Sequence, residues 1–187
     1  DHDIDLAHNG LGHVVAVWVS RNLSSESRNL RVARSTDGGL SWSAPQTVVD
    51  GLTVPNGDIK PRIATDGWGR WIVIFKSDLP PGRGDDDLDL FATHSTDDGL
   101  TWSPPLPISG DMNADDASDG GGFYSIGLAA DGLGRWIAAW SSENTLGDTI
   151  GNDRDILYAI ADLSVPDIRV FTPNGGETWI EDTYVPI

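Results

Sequence analysis

Ser35-Thr-Asp-Gly-Gly-Leu-Ser-Trp42 returns farther along the chain as Ser95-Thr-Asp-Asp-Gly-Leu-Thr-Trp102, and both stretches read S-x-D-x-G-x-x-W. Each copy lies between two short runs of strand-forming residues, which makes it a tight hairpin. Ser and Asp side chains accept hydrogen bonds from backbone N–H groups inside such a turn. The Gly supplies positive φ where the chain reverses, and the Trp is placed to wedge under a neighbour. None of these roles is chemistry on a substrate, so the motif speaks to architecture first.

The hairpin belongs to a longer repeat. Leu6-Ala-His-Asn-Gly-Leu-Gly-His-Val-Val-Ala-Val-Trp18, Ile63-Ala-Thr-Asp-Gly-Trp-Gly-Arg-Trp-Ile-Val-Ile-Phe75 and Leu128-Ala-Ala-Asp-Gly-Leu-Gly-Arg-Trp-Ile-Ala-Ala-Trp140 align without gaps. Each reads as strand, Gly-x-Gly turn, strand. No helix follows the Gly-x-Gly, which removes the phosphate-loop reading. A third strand is expected at Leu30–Ser35, Leu90–Ser95 and Ile156–Ala161. A fourth is expected to start at Trp42 and Trp102, where the following prolines suit an edge strand. Four strands per unit, repeated about every sixty residues, is the pattern of propeller blades. No segment carries a capped 3.6-residue apolar period, so essentially no helix is predicted.

The motif formed by Ser35, Asp37, Gly39 and Trp42, and again by Ser95, Asp97, Gly99 and Trp102, resembles the Asp-box, or bacterial neuraminidase repeat, of sialidase-like β-propellers. The resemblance implies an all-β fold of about three four-stranded antiparallel blades, half of a six-bladed ring. It also implies the sialidase chemistry: an arginine cluster clamping a sugar carboxylate, a Tyr activated by Glu, and an Asp acid/base. Arg62 in Pro61-Arg-Ile-Ala64 is similar to the Arg-Ile-Pro element of that family, with Ala64 in place of Pro. It is the one catalytic candidate. Tyr124, Tyr158 and Tyr184 have no Glu partner by spacing, so the roles of a complete active site cannot all be assigned.

Residues 1–168 divide into units of approximately 1–51, 52–117 and 118–168. The third lacks an Asp-box after Ala161. Residues 169–187 contain Pro173-Asn-Gly-Gly-Glu-Thr-Trp179, which resembles the opening of an immunoglobulin-like module of secreted proteins. This tail is expected to be a truncated neighbour or a strand that pairs elsewhere. Three blades leave apolar flanks and strand edges uncovered. Self-association is therefore expected, by dimeric ring closure or by filament formation, unless the missing blades belong to a larger parent.

Composition narrows the classes further. The chain has 187 residues with 39% hydrophobic, 8 Trp, 22 Gly and 11 Pro, which suits a turn-rich β protein. It has no Cys, which excludes disulfide staples and thiol catalysis. A net charge of −17 excludes nucleic acid as a partner and fits solubility, salt or divalent cations. No apolar run reaches the length of a membrane span. The start at Asp1, without Met, reads as a mature or excised piece, and the expected location is secreted or at the cell surface.

Acidic residues before the third strand, Asp87 and Asp89 in one repeat and Asp153 and Asp155 in the next, are the candidate ligands for calcium, a cation that takes oxygen donors from such loops. No cofactor is required by this reading. Asp111-Met-Asn-Ala-Asp115 starts like an EF-hand loop but lacks its Gly and its closing Glu. The histidines show no zinc spacing, and no G-x-S-x-G elbow is present. Trp18 and Trp140 end second strands and are expected in the core. Trp68, between two glycines, is the ring expected to be exposed and able to stack on a glycan. The reading these features support is a non-catalytic structural or adhesive module that contacts glycans, with a fragment or subunit of a sialidase-like glycoside hydrolase as the alternative.

Overall fold

A computed structural model describes residues 1–21, 27–52, 59–77, 89–109, 126–142, 155–162, 167–172 and 180–186. For Asp155 and the last two stretches it describes the backbone only. The described residues are strands and turns, with no helix among them. They form three antiparallel sheets.

The first sheet is β1 (His2–His8), β2 (Val14–Arg21), β3 (Arg28–Ser35) and β4 (Gln46–Leu52), in that spatial order. The second repeats it with β5 (Arg62–Thr65), β6 (Trp71–Ser77), β7 (Asp89–Ser95) and β8 (Leu106–Pro107). The third has five strands: β9 (Ile126–Ala130), β10 (Arg135–Ser142), β11 (Asp155–Asp162), β12 (Asp167–Thr172) and β13 (Ile180–Pro186). Each sheet is a meander of hairpins, and strands β1, β5 and β9 lie next to one another.

The second sheet is the middle layer, and its strand β6 shows how alternation builds two cores from one strand. Trp71, Val73 and Phe75 enter the core shared with the first sheet, beside Val15, Val17 and Leu30. Ile72 and Ile74 enter the core shared with the third sheet, beside Trp136, Ala138 and Trp140. Every residue of β6 is buried, as expected of a strand covered on both faces.

Three expectations change. The fourth strands do not begin at the Trp residues. Ser43 N and Ser103 N each make one bond to β3 or β7, to Arg34 O and His94 O, and the regular ladder starts only at Gln46 and Leu106. Pro45, Pro104 and Pro105 stand in between and have no N–H to donate. Within the tail, Ile180–Pro186 pairs with β12 through partners such as Ile168 with Val185. The division drawn at 168 therefore falls inside a strand of the third sheet. β12 thus has a strand on each side, β11 and β13. Trp18 is the third change. It is half-exposed on the open side of the first sheet, whereas Phe75 and Trp140, at the same place in the repeat, are fully buried.

Candidate functional site

Two repeated turns close one end of the sheets. In the first S-x-D-x-G-x-x-W turn, Ser35 Oγ donates to Asp37 Oδ1 at 2.7 Å and accepts from Gly39 N at 2.8 Å. Ser41 donates to Asp37 through its backbone N at 2.9 Å and its hydroxyl at 2.5 Å, and Trp42 Nε1 donates to Gly39 O at 3.1 Å. The second copy repeats each of these bonds through Ser95, Asp97, Gly99, Thr101 and Trp102 at 2.6–3.2 Å.

The hydroxyl of Ser41, its backbone N–H and the Ser35 hydroxyl hold the Asp37 carboxyl down to about 2. Thr101 and Ser95 do the same for Asp97, also to about 2. Both values lie below the unfolded-chain value of about 3.9. The stabilising contribution is thus complete above about pH 4 and disappears as the pH falls through about 2. A carboxyl-carbon NMR titration of the folded protein is expected to place both groups near 2, and values near 4 would remove this account.

The second turn was only half visible in the sequence. Asn9, Asp66 and Asp131 precede the three Gly-x-Gly stretches, and each side chain accepts two backbone N–H bonds across the turn. The signal was an Asn or Asp at one fixed place in all three repeats. Gly38 N bonds Gly12 O and Asp98 N bonds Gly69 O, so the two turn types lock together within the first sheet and within the second. Contacts also run between sheets. His13 Nδ1 is 3.0 Å from Asp98 Oδ1, and Arg34 Nη1 donates to Asp98 O. Arg70 pairs with buried Asp66 at 2.6 Å and leans over the Trp136 ring at 6.0 Å. Arg70 thus clamps the second sheet to the third, whereas Arg135, at the same place in the third sheet, lies 3.8 Å from Asp162 of its own sheet.

At the other end, Arg62 opens inner strand β5, and its Nη1 donates to Pro61 O. Asp5 of β1 reaches across and accepts from Ile63 N at 3.1 Å. Among the described residues no second arginine stands on an inner strand: Arg31 and Arg34 are on β3, and Arg70 and Arg135 follow the turns at the opposite end. Tyr158 projects from β11 on the side away from the second sheet, opposite to Leu157 and Ala159. Burial pushes its phenol up, the wrong direction for an activated nucleophile. The candidate catalytic groups are therefore not brought together among the described residues.

Asp89 is buried at the start of β7 and accepts from Ser109 Oγ at 3.0 Å, while Leu90 N donates to that same hydroxyl. It ties the second sheet's outer end. Asp87, Asp153 and the side chain of Asp155 lie outside the described residues, as do Asp111–Asp115, Tyr124 and the side chain of Tyr184. No group of three metal-ligating side chains occurs among the described residues.

One cavity is prominent and was not foreseen. The open face of the first sheet holds a groove of about 470 Å³ bordered by Ile4, Leu6, Ala16, Trp18, Ala33 and Trp42. Trp102, the counterpart of Trp42, packs into the core between the first two sheets, but Trp42 is 44% exposed. Trp68 is 77% exposed, as expected for a ring between two turn glycines.

No protein-family model and no curated protein matches the sequence. Solved structures do. The chain is similar to an N-acetylgalactosamine deacetylase from F. plautii in complex with blood group B trisaccharide, with TM-score 0.52 and 12% identity over 87% of this chain and 49% of that one. It is similar to the Hadza microbial sialidase Hz136, with TM-score 0.50 and 16% identity over 96% and 46%. The α-L-arabinanase of Penicillium chrysogenum, complexed with arabinobiose, gives TM-score 0.52 and 10% identity over 94% and 60%. These sheets are β-propeller blades. The propeller segment spans about half the length of the first two of these solved proteins. Its three sheets are consecutive blades, with β1, β5 and β9 innermost, and both turn types lie on one face. No helix among the described residues is long and apolar enough to cross a membrane.

Proposed function

We propose that this segment is a structural and adhesive module of a secreted or cell-surface protein, non-catalytic in its own right, that contacts glycans as part of a completed propeller ring. The observation that carries this reading is the open apolar flank of blade 1. An aromatic at the Trp18 position is fully buried in blades 2 and 3 but only partly buried in blade 1, so the fold is finished only when further blades cover it. Those blades come from another copy or from a longer parent chain. Glycan contact draws on the sugar complexes of the deacetylase and arabinanase that share the fold and on the exposed Trp68 ring, since aromatic faces stack on sugars. Titration of the protein with blood group trisaccharide, arabinobiose and sialyllactose, followed by tryptophan fluorescence, is expected to show saturable binding without turnover. Trp68→Ala is expected to weaken it about tenfold. No saturable response to any glycan would remove the adhesive half of the proposal.

One observation favours a second reading, a fragment or subunit of a sialidase-like glycoside hydrolase. Arg62 sits on an inner strand beside Asp5 of the neighbouring blade, and a sialidase is among the proteins with this fold. Hydrolysis of a fluorogenic sialoside, abolished by Arg62→Ala with the fold intact by circular dichroism, would establish that reading in place of the first.

A further inference from the structure

We propose that a second copy of this chain fills the groove on blade 1, with the outer face of its blade 3, so that two chains close one six-bladed ring through two identical contacts. This rests on the reading that further blades cover the open flanks, and it names their source. The argument comes from matching the two open faces to an interface already present inside the chain.

Blade 3 meets blade 2 through a small cross-strand pair, Ala138 opposite Ala159, with Trp140 beside it. Blade 1 shows the same side chains at the same repeat positions: Ala16 opposite Ala33, with Trp18 beside them. Ile4 and Leu6 of blade 1 likewise match Ile126 and Leu128 of blade 3. In blade 3 this socket is filled by Ile72, Ile74 and Ala92 of blade 2, and the space remaining there is about 10 Å³. In blade 1 the matching socket is the groove of about 470 Å³.

The face that would fill it is present on the same chain. Ile137 of blade 3 holds the place of Ile72, and Ile156 holds that of Leu90. Both are exposed, at 46% and 53%. Where blade 2 offers the cross-strand pair Ile74 and Ala92, blade 3 offers Ala139 and Tyr158. The large and small members have changed strands, and a bulky group still stands at the centre of the face. Such exchanges preserve packing. Most of the side chains that meet are uncharged; the charged groups on the blade 1 face are Arg31, cross-strand from Trp18 where blade 3 has Leu157, and Asp1, which lines the groove.

The turns agree. Arg70 of blade 2 leans onto the Gly-x-Gly turn of blade 3, with its guanidinium 3.0 Å from where a Cβ on Gly134 would stand. Arg135 occupies that place on blade 3 and is largely exposed. It faces the position that the Asn9–Gly12 turn of a second copy would take. The segment covers 49% and 46% of two solved proteins of this fold, so two copies together span about the length of one of them.

Native mass spectrometry and sedimentation test this on the intact chain. The wild type is expected at twice the 20.0 kDa of one chain. Ala16→Arg on one face and Ile137→Arg on the other should each leave a folded monomer, with the dissociation constant raised about 100-fold or more by a buried unpaired charge. An equimolar mixture of the two variants should recover a dimer, because the intact blade 3 face of the first still meets the intact blade 1 face of the second. A monomeric wild type, a ladder of larger species, or a dimer that persists in either variant would overturn the closed ring of two copies. A monomer that still binds glycans overturns this inference while leaving the proposed function standing.

Discussion

Trp140→Ala is expected to lower the unfolding free energy by about 3–5 kcal/mol, the usual range for deleting a buried aromatic, while Trp18→Ala in the monomeric chain costs about 1 kcal/mol or less. Both residues lie at the same place in the second strand of a blade, and both stand beside an Ala-Ala cross-strand pair. Trp140 is fully buried between blades 2 and 3. Trp18 is partly buried and borders the open groove. Urea denaturation of each variant in the Ile137→Arg background reads the two costs without interference from association. Equal costs would mean that blade-to-blade burial is not what distinguishes the two sites. In the wild-type background the order changes for a physical reason: Trp18→Ala then loses its partner face too, and the loss becomes concentration-dependent.

Gly99→Ala carries the second large effect, about 2–4 kcal/mol. Its φ of +77° is one that a side chain rarely adopts, and a Cβ there would lie 3.1 Å from Val15 Cγ2 of blade 1. Backbone strain and overpacking therefore add. Gly39 has the same motif position and a φ of +94°, but a Cβ there would meet only Trp42, at 3.9 Å. Gly39→Ala is expected to cost about 1 kcal/mol, the backbone part alone. Thermal and urea melts of the two variants compare them directly. A Gly39→Ala cost equal to that of Gly99→Ala would assign the whole effect to the turn and none to the blade contact.

Most of the architecture was legible because it is local. The Ser, Asp and Gly of each S-x-D-x-G-x-x-W stretch satisfy one another within eight residues, so the motif reports its own turn. The period-2 runs report strands wherever the two faces differ. The candidate site was far less legible. Asp5 and Ile63, the residue after Arg62, are a whole blade apart in sequence and meet only through adjacent inner strands. Asp89 read as a loop ligand, yet it is engaged by Ser109, a partner contributed by the segment after β8. The fifth strand of blade 3 was equally hidden, because a strand's partner is chosen by which edge is open and not by its own residues.

Repetition in the chain was sufficient for strand order, for turn chemistry and for the number of blades, since each depends on side chains a few positions apart. Burial was not available at that level. Trp18 and Trp140 carry the same letter at the same place in the same repeat, and one is core while the other is surface. The difference lies in what stands across the sheet, about 10 Å away. Only the packed arrangement of blades shows that one face has a neighbour and the other still lacks one.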